Sequence, residues 1–183
     1  MSGVVYDYEN VERFVSGTVG QPGERVFFLQ ARDGSRVTSV VVEKSQVAAL
    51  ATRTKIMLRE IKKSDPSIRW RLSETDNFPL EQPIFEEFRV GVISIAWDVS
   101  AQRIVYELRE ASSSDSDNDE EILFTSEDLS SDVLRVHLTP SQAQSFVKRS
   151  ESLISAGRLP CPFCAIPIDP QGHLCPRANG YRR

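Results

Sequence analysis

The apolar positions of this chain switch between two periods, and each switch marks an element. From Val11 to Val19 (Val-Glu-Arg-Phe-Val-Ser-Gly-Thr-Val) they alternate loosely, as on a half-buried strand. Gly20-Gln-Pro-Gly23 supplies the backbone angles of a turn, and Arg25 to Ala31 reads as a second strand. Asp33-Gly34 turns the chain into a third, Val37 to Glu43, which completes a meander. After Ser45 the repeat becomes three and four. Val47, Leu50, Ala51, Thr54, Leu58 and Ile61 predict an amphipathic helix ending near Lys63, with Asp65-Pro66 as its stop.

Residues 64–83 are mixed and turn-rich, a connector carrying Trp70 and Phe78. Strand patterns return at Phe88 to Trp97, Arg103 to Arg109 and Val133 to Leu138, with Asp98-Val-Ser-Ala as a turn. Thr139-Pro140-Ser141-Gln142 then opens a second helix. Thr139 can cap it, Pro140 suits its first position, and Gln142 completes a capping box. Its inward face is Ala143, Phe146, Val147, Leu153 and Ile154, and Gly157 ends it. Both halves therefore read strand–strand–strand–helix. Glu24 to Ala31 aligns with Gln102 to Arg109, and Val42-Glu-Lys-Ser-Gln with Leu138-Thr-Pro-Ser-Gln. Duplication and two independent βββα units both account for so short a match. The expected fold is α+β: an antiparallel β-sheet built from halves at about 1–64 and 84–157, with its helices on one face. A separate segment, 158–183, follows this 1–157 domain.

Composition adds limits. A chain of 183 residues with 40% hydrophobic and 26% charged residues can bury a real core. No apolar stretch approaches the roughly 20 residues of a membrane span. The start, Met1-Ser-Gly-Val-Val-Tyr-Asp-Tyr-Glu, has neither a basic region nor an apolar one of the secretory kind. A cytoplasmic protein with no membrane partner is expected. The net charge of −4 hides an asymmetry. Residues 112–132 hold Asp115, Asp117, Asp119, Glu120, Glu121, Glu127, Asp128 and Asp132 with no Lys or Arg, so the remainder is net basic. The tract reads as a solvated loop, and acids after serines also suit phosphorylation. Such a loop beside a mildly basic body disfavours non-specific nucleic-acid binding.

The sharpest chemistry lies near the C-terminus. Cys161, Cys164, His173 and Cys175, which include every cysteine and one of two histidines, spell C-x2-C-x8-H-x-C. Two thiolates in a tight turn can reach one metal, and Pro167, Pro170 and Gly172 can return the chain with the other two ligands. This pattern suits tetrahedral zinc. Four protein ligands leave no open position, so the site reads as structural and zinc-knuckle-like. The competing readings are a redox dithiol, which normally opens a helix that these prolines oppose, and reduced unliganded thiols. Arg177, Asn179, Tyr181, Arg182 and Arg183 follow, a basic tail that either docks a protein partner or straps the core.

Other polar residues have plainer readings. His137 ends a strand and reads as a hydrogen-bonded structural residue. Trp70 and Trp97 read as packing. Arg25, Arg32, Arg36, Arg89, Arg103 and Arg109 read first as a solvated face and second as a phosphate-binding surface. No phosphate loop, nucleophile elbow or carboxylate pair is in frame. An interaction module without enzymatic activity is the leading reading. A single-strand nucleic-acid binder of PUR-like or whirly-like outline comes second, and an enzyme acting on a phosphorylated small molecule last.

Several stretches together resemble one family. They are Phe14-Val-Ser-Gly-Thr-Val-Gly-Gln-Pro-Gly23, Phe28-Leu-Gln-Ala31, Glu43-Lys-Ser-Gln-Val47, Glu87-Phe-Arg-Val-Gly91, Leu138-Thr-Pro140, Ile154-Ser-Ala-Gly157 and the C-terminal Pro160-Cys-Pro-Phe-Cys with Gly172-His-Leu-Cys-Pro-Arg-Ala-Asn-Gly-Tyr-Arg-Arg183. The chain is similar to the actinobacterial proteins of domain-of-unknown-function family 3090. The resemblance implies a small cytoplasmic bacterial protein whose zinc-like clip falls on Cys161, Cys164, His173 and Cys175. It implies no activity. The acidic tract here is more extreme than the family pattern.

Overall fold

A computed structural model of the chain describes residues 3–21, 23–71, 74–111, 131–156, 161–164, 168 and 175–177. The strands are β1 Val5–Tyr8, β2 Arg13–Val19, β3 Val26–Asp33, β4 Arg36–Val42, β5 Glu86–Asp98, β6 Arg103–Glu110 and β7 Val133–Leu138. The helices are α1 Lys44–Ser64 and α2 Pro140–Ser155. All seven strands form one sheet in the order β1-β7-β6-β5-β4-β3-β2. The two expected βββα units are present: β2–β4 followed by α1, and β5–β7 followed by α2.

The sheet is mixed, which corrects the antiparallel expectation. Where α1 and a connector separate two strands, β4 and β5, they run parallel. Tight turns force antiparallel neighbours, whereas a long crossover lets the next strand enter in the same direction. The second parallel pair is β1 with β7. Strand β1 was not foreseen, because Val-Tyr-Asp-Tyr is too short to display a period.

This sheet cannot be flat. Seven strands span about 29 Å at the usual spacing. The outermost two, β1 and β2, are joined by residues 9–12 alone, which reach about 18 Å from Tyr8 to Arg13. The edges must therefore curl toward each other, and side chains record the closure. The Tyr8 hydroxyl lies 2.8 Å from Thr38 Oγ1 on β4. The Arg36 guanidinium stacks 3.9 Å from the Tyr8 ring centre and donates to the Asp7 carbonyl.

Both helices fill the inner face. Six α1 residues are buried, and they are the six that the period singled out: Val47, Leu50, Ala51, Thr54, Leu58 and Ile61. Of these, Val47, Leu50, Leu58 and Ile61 share one core cluster with Leu29, Val40, Val42, Ile104, Leu108 and Val136 from the strands. At the centre Phe14 of β2, Tyr106 of β6 and Phe146 of α2 form a triad with ring centres 5.1 to 5.7 Å apart. The Tyr106 hydroxyl meets Thr54 Oγ1 at 2.7 Å, so α1 joins the same cluster. Burial pushes the Tyr106 hydroxyl well above its ordinary pKa.

The connector has no helix or strand among its described residues, as its composition suggests. Its role was hidden. Ile68 and Trp70 pack on the inner core, while Leu80 packs with Val15, Phe28 and Val41 on the opposite face. Between them Asp76 bonds Arg13 of β2 and Arg149 of α2. The connector thus passes around the β2 edge and roofs the outer face of the first half. Gly17 makes room for it, since a Cβ there would sit 2.6 Å from Leu80 Cγ.

A bulge explains a phase change in β5. Phe88 and Val90 face the core, but beyond the register shift between Val90 and Val92 the inward residues are Ile93, Ile95 and Trp97. Gly91 sits in that bulge, where a Cβ would come 2.7 Å from Ala111 Cα.

The signature of α2 forms as read. The Gln142 amide donates to Thr139 Oγ1 at 3.2 Å, and the Thr139 amide donates to Gln142 Oε1 at 2.9 Å. Thr139→Ala should cost about 1 kcal/mol in chemical denaturation, the ordinary loss for a side-chain cap. The helix ends at Ser155 with Ala156 as its cap, while Gly157 lies outside the described residues.

Candidate metal centre

The C-terminal cysteines come together. Cys161 and Cys164 bracket a turn, and Cys175 reaches the same point from fourteen residues on. All three sulfurs lie within 4.8 Å of one another. Cys161 Sγ and Cys175 Sγ are 3.8 Å apart. A tetrahedral zinc with sulfur bonds of about 2.3 Å holds its sulfurs about 3.8 Å from each other. A disulfide needs about 2.05 Å. The spacing therefore fits three thiolates around one ion and does not fit a bridge.

Local packing suits that chemistry. Cys161 and Cys175 are buried and Cys164 is half-buried. Burial pushes the Cys161 thiol up, but the amides of Cys164 and Phe163 and the neighbouring sulfurs together hold it below its ordinary pKa. Arg177 Nη1 donates to the Phe163 carbonyl at 3.1 Å, fastening the root of the tail to the Cys161–Cys164 turn. His173 lies outside the described residues, as do Asn179, Tyr181, Arg182, Arg183 and the acidic tract through residue 130. A soft donor set of three sulfurs fits a divalent ion of zinc's kind.

The remaining sequence candidates settle into packing roles. His137 Nε2 lies 3.4 Å from Asp7 Oδ1 across the β1–β7 pair, but neither buried atom makes a hydrogen bond among the described residues, which corrects the hydrogen-bonded reading. Each of these six arginines, five on strands and Arg25 just before β3, has a protein partner. Arg89 pairs with Glu43, Arg109 with Glu107 and Arg32 with Glu12. Arg25 donates to the Ala156 carbonyl, Arg36 to Asp7 and Arg103 to Ala101. Trp70 and Trp97 are partly buried against the core. Sequence reasoning missed the Arg13–Asp76–Arg149 cluster, because its three members stand on β2, the connector and α2.

The family model described as a protein of unknown function, DUF3090, matches residues 6–175. The chain belongs to the DUF3090 family. The matched span of this DUF3090 chain runs from β1 through both βββα units and ends on Cys175, so it takes in all three clustered thiols. Neither a curated protein nor a solved structure matches it. No helix among the described residues is long and apolar enough to cross a membrane.

Proposed function

We propose that this DUF3090 chain is a non-enzymatic binding module, cytoplasmic, in which a structural zinc ion on Cys161, Cys164, His173 and Cys175 orders the segment after the α+β body. The observation that carries the reading is the 3.8 Å separation of Cys161 and Cys175 within a three-thiol cluster. With His173 as fourth ligand the ion has no position left for water or substrate, which is why the site is structural. The ordered segment presents Arg177 and the basic residues Arg182 and Arg183, with Asn179 and Tyr181, to a protein partner.

Cobalt replacement tests this directly. Co²⁺ in place of the native ion should give the absorption of a tetrahedral, thiolate-rich site, and azide or cyanide should leave that spectrum unchanged. A spectrum that shifts with added azide reveals an open position and turns the reading toward a metalloenzyme. Cys175→Ser should lower zinc affinity at least a hundredfold, since it removes one of four ligands from a site whose binding energy is folding energy. The matching structural readout is trypsin cleavage near Arg177, fast in Cys175→Ser or after chelation and slow in the loaded protein.

A further inference from the structure

A cavity of about 810 Å³, with none of the cysteines in its walls, opens between α1, α2 and the start of the connector. One wall is apolar, formed by Leu58, Ile68, Trp70 and Val147. The lining also carries Arg59, Lys62, Arg69 and Lys148. None of these four cations bonds or pairs with another described residue. That sets them apart from the strand arginines, all of which are engaged. Glu151, the lining's single acid, is taken by Lys55 at 2.7 Å. Gln144 also lines the space, and its Oε1 is buried with no hydrogen-bond partner among the described residues.

We propose that this groove binds a nucleoside polyphosphate, its base against Trp70 and its phosphates on Arg59, Lys62, Arg69 and Lys148. Three features select that class. The volume falls in the range of small-molecule sites. Four unneutralised cations exceed what a monoanion needs and match two or three phosphates. Trp70 in the lining offers an aromatic surface that suits a planar base. An acidic peptide would answer the charge and leave the aromatic surface of Trp70 unused. Among the described residues no free carboxylate lines the groove, so the phosphates meet the protein's cations directly. The site is independent of the zinc reading, and either stands if the other fails.

Calorimetric titration of the full-length protein with ADP, ATP and inorganic pyrophosphate at low ionic strength tests it. ADP and ATP should bind, and raising salt should weaken both. Arg59→Ala and Lys148→Ala should each weaken ADP binding about tenfold, the loss of one charge-assisted hydrogen bond. Trp70→Leu should weaken ADP by about tenfold, a stacking contribution, and leave pyrophosphate unchanged. Arg59 and Lys148 are exposed, so both variants should melt within a few degrees of wild type. Absence of ADP and ATP binding overturns the proposal, as does binding indifferent to Arg59 and Lys148. Pyrophosphate binding as tightly as ADP removes the base from the account. If ADP binds only after Asp115, Asp117, Asp119, Glu120 and Glu121 are neutralised to amides, the groove belongs to the chain's own acidic tract, and the proposal falls.

Discussion

Replacing Asp76 by alanine should destabilise the protein by about 3 kcal/mol, because it takes the shared carboxylate from two mostly buried guanidinium groups that keep chiefly carbonyl partners. Arg13 donates to both carboxylate oxygens, from Nε at 2.5 Å and from Nη2 at 3.0 Å. Arg149 Nη1 lies 3.3 Å from Oδ1. The two arginine side chains are only 10% and 13% exposed. Burial holds Arg149 below its ordinary pKa, while Asp76 pulls it back up and Arg13 adds to the depression. Remove the carboxylate and two positive charges face each other with little water. The same residue fastens three separate pieces, β2, the connector and α2, so the loss is global rather than local.

The cluster also predicts a pH dependence. The Arg13 hydrogen bond holds the Asp76 carboxyl below its ordinary value, against a smaller opposing effect of burial. In the unfolded chain that carboxyl titrates at about 3.9. Between the two values the unfolded state binds more protons, so stability falls as the solution is acidified. The contribution is complete above about pH 5 and is lost as pH drops through about 4 toward the folded value. Thermal melts from neutral pH into acid should therefore show a shallower acid limb for Asp76→Asn than for wild type. Parallel limbs would show that Asp76 carries no such linkage.

The second large effect is in the core. Phe146→Ala should cost about 3–5 kcal/mol, the transfer energy of a buried ring plus the cavity it leaves. Phe146 is 1% exposed and touches rings from both halves, Phe14 at 5.1 Å and Tyr106 at 5.7 Å. Tyr106 cannot move into the void without straining its bond to Thr54, which fixes α1. Phe146→Leu, which keeps most of the volume, should cost less than half as much. Phe78→Ala is the control: that ring is 76% exposed, and its loss should stay within about 0.5 kcal/mol. Similar losses for Phe146→Ala and Phe78→Ala would contradict the packing described here.

Residues whose environment is decided within a few positions were legible. The period of α1 gave its buried face, and Thr139-Pro140-Ser141-Gln142 gave the start of α2. The thiol cluster was readable because Cys161, Cys164 and Cys175 are close in sequence as well as in space. Long-range features left no such trace. Strand β1 exists because β7 offers an edge to pair with, which no local pattern of four residues announces. The parallel β4–β5 pair depends on where a crossover lands. The phase change at Gly91 puts the inward residues Phe88 and Val90 at even positions and Ile93, Ile95 and Trp97 at odd ones, a signal that alternation counting reads as noise. The basic groove is assembled from α1, the connector and α2, and so appears in no single stretch.

X-ray absorption at the zinc edge, on protein purified without chelators, bears most directly on the metal centre. The expected shell is three sulfurs at about 2.3 Å and one nitrogen at about 2.0 Å. A sample free of zinc, or one whose metal sees fewer than three sulfurs, would contradict the account.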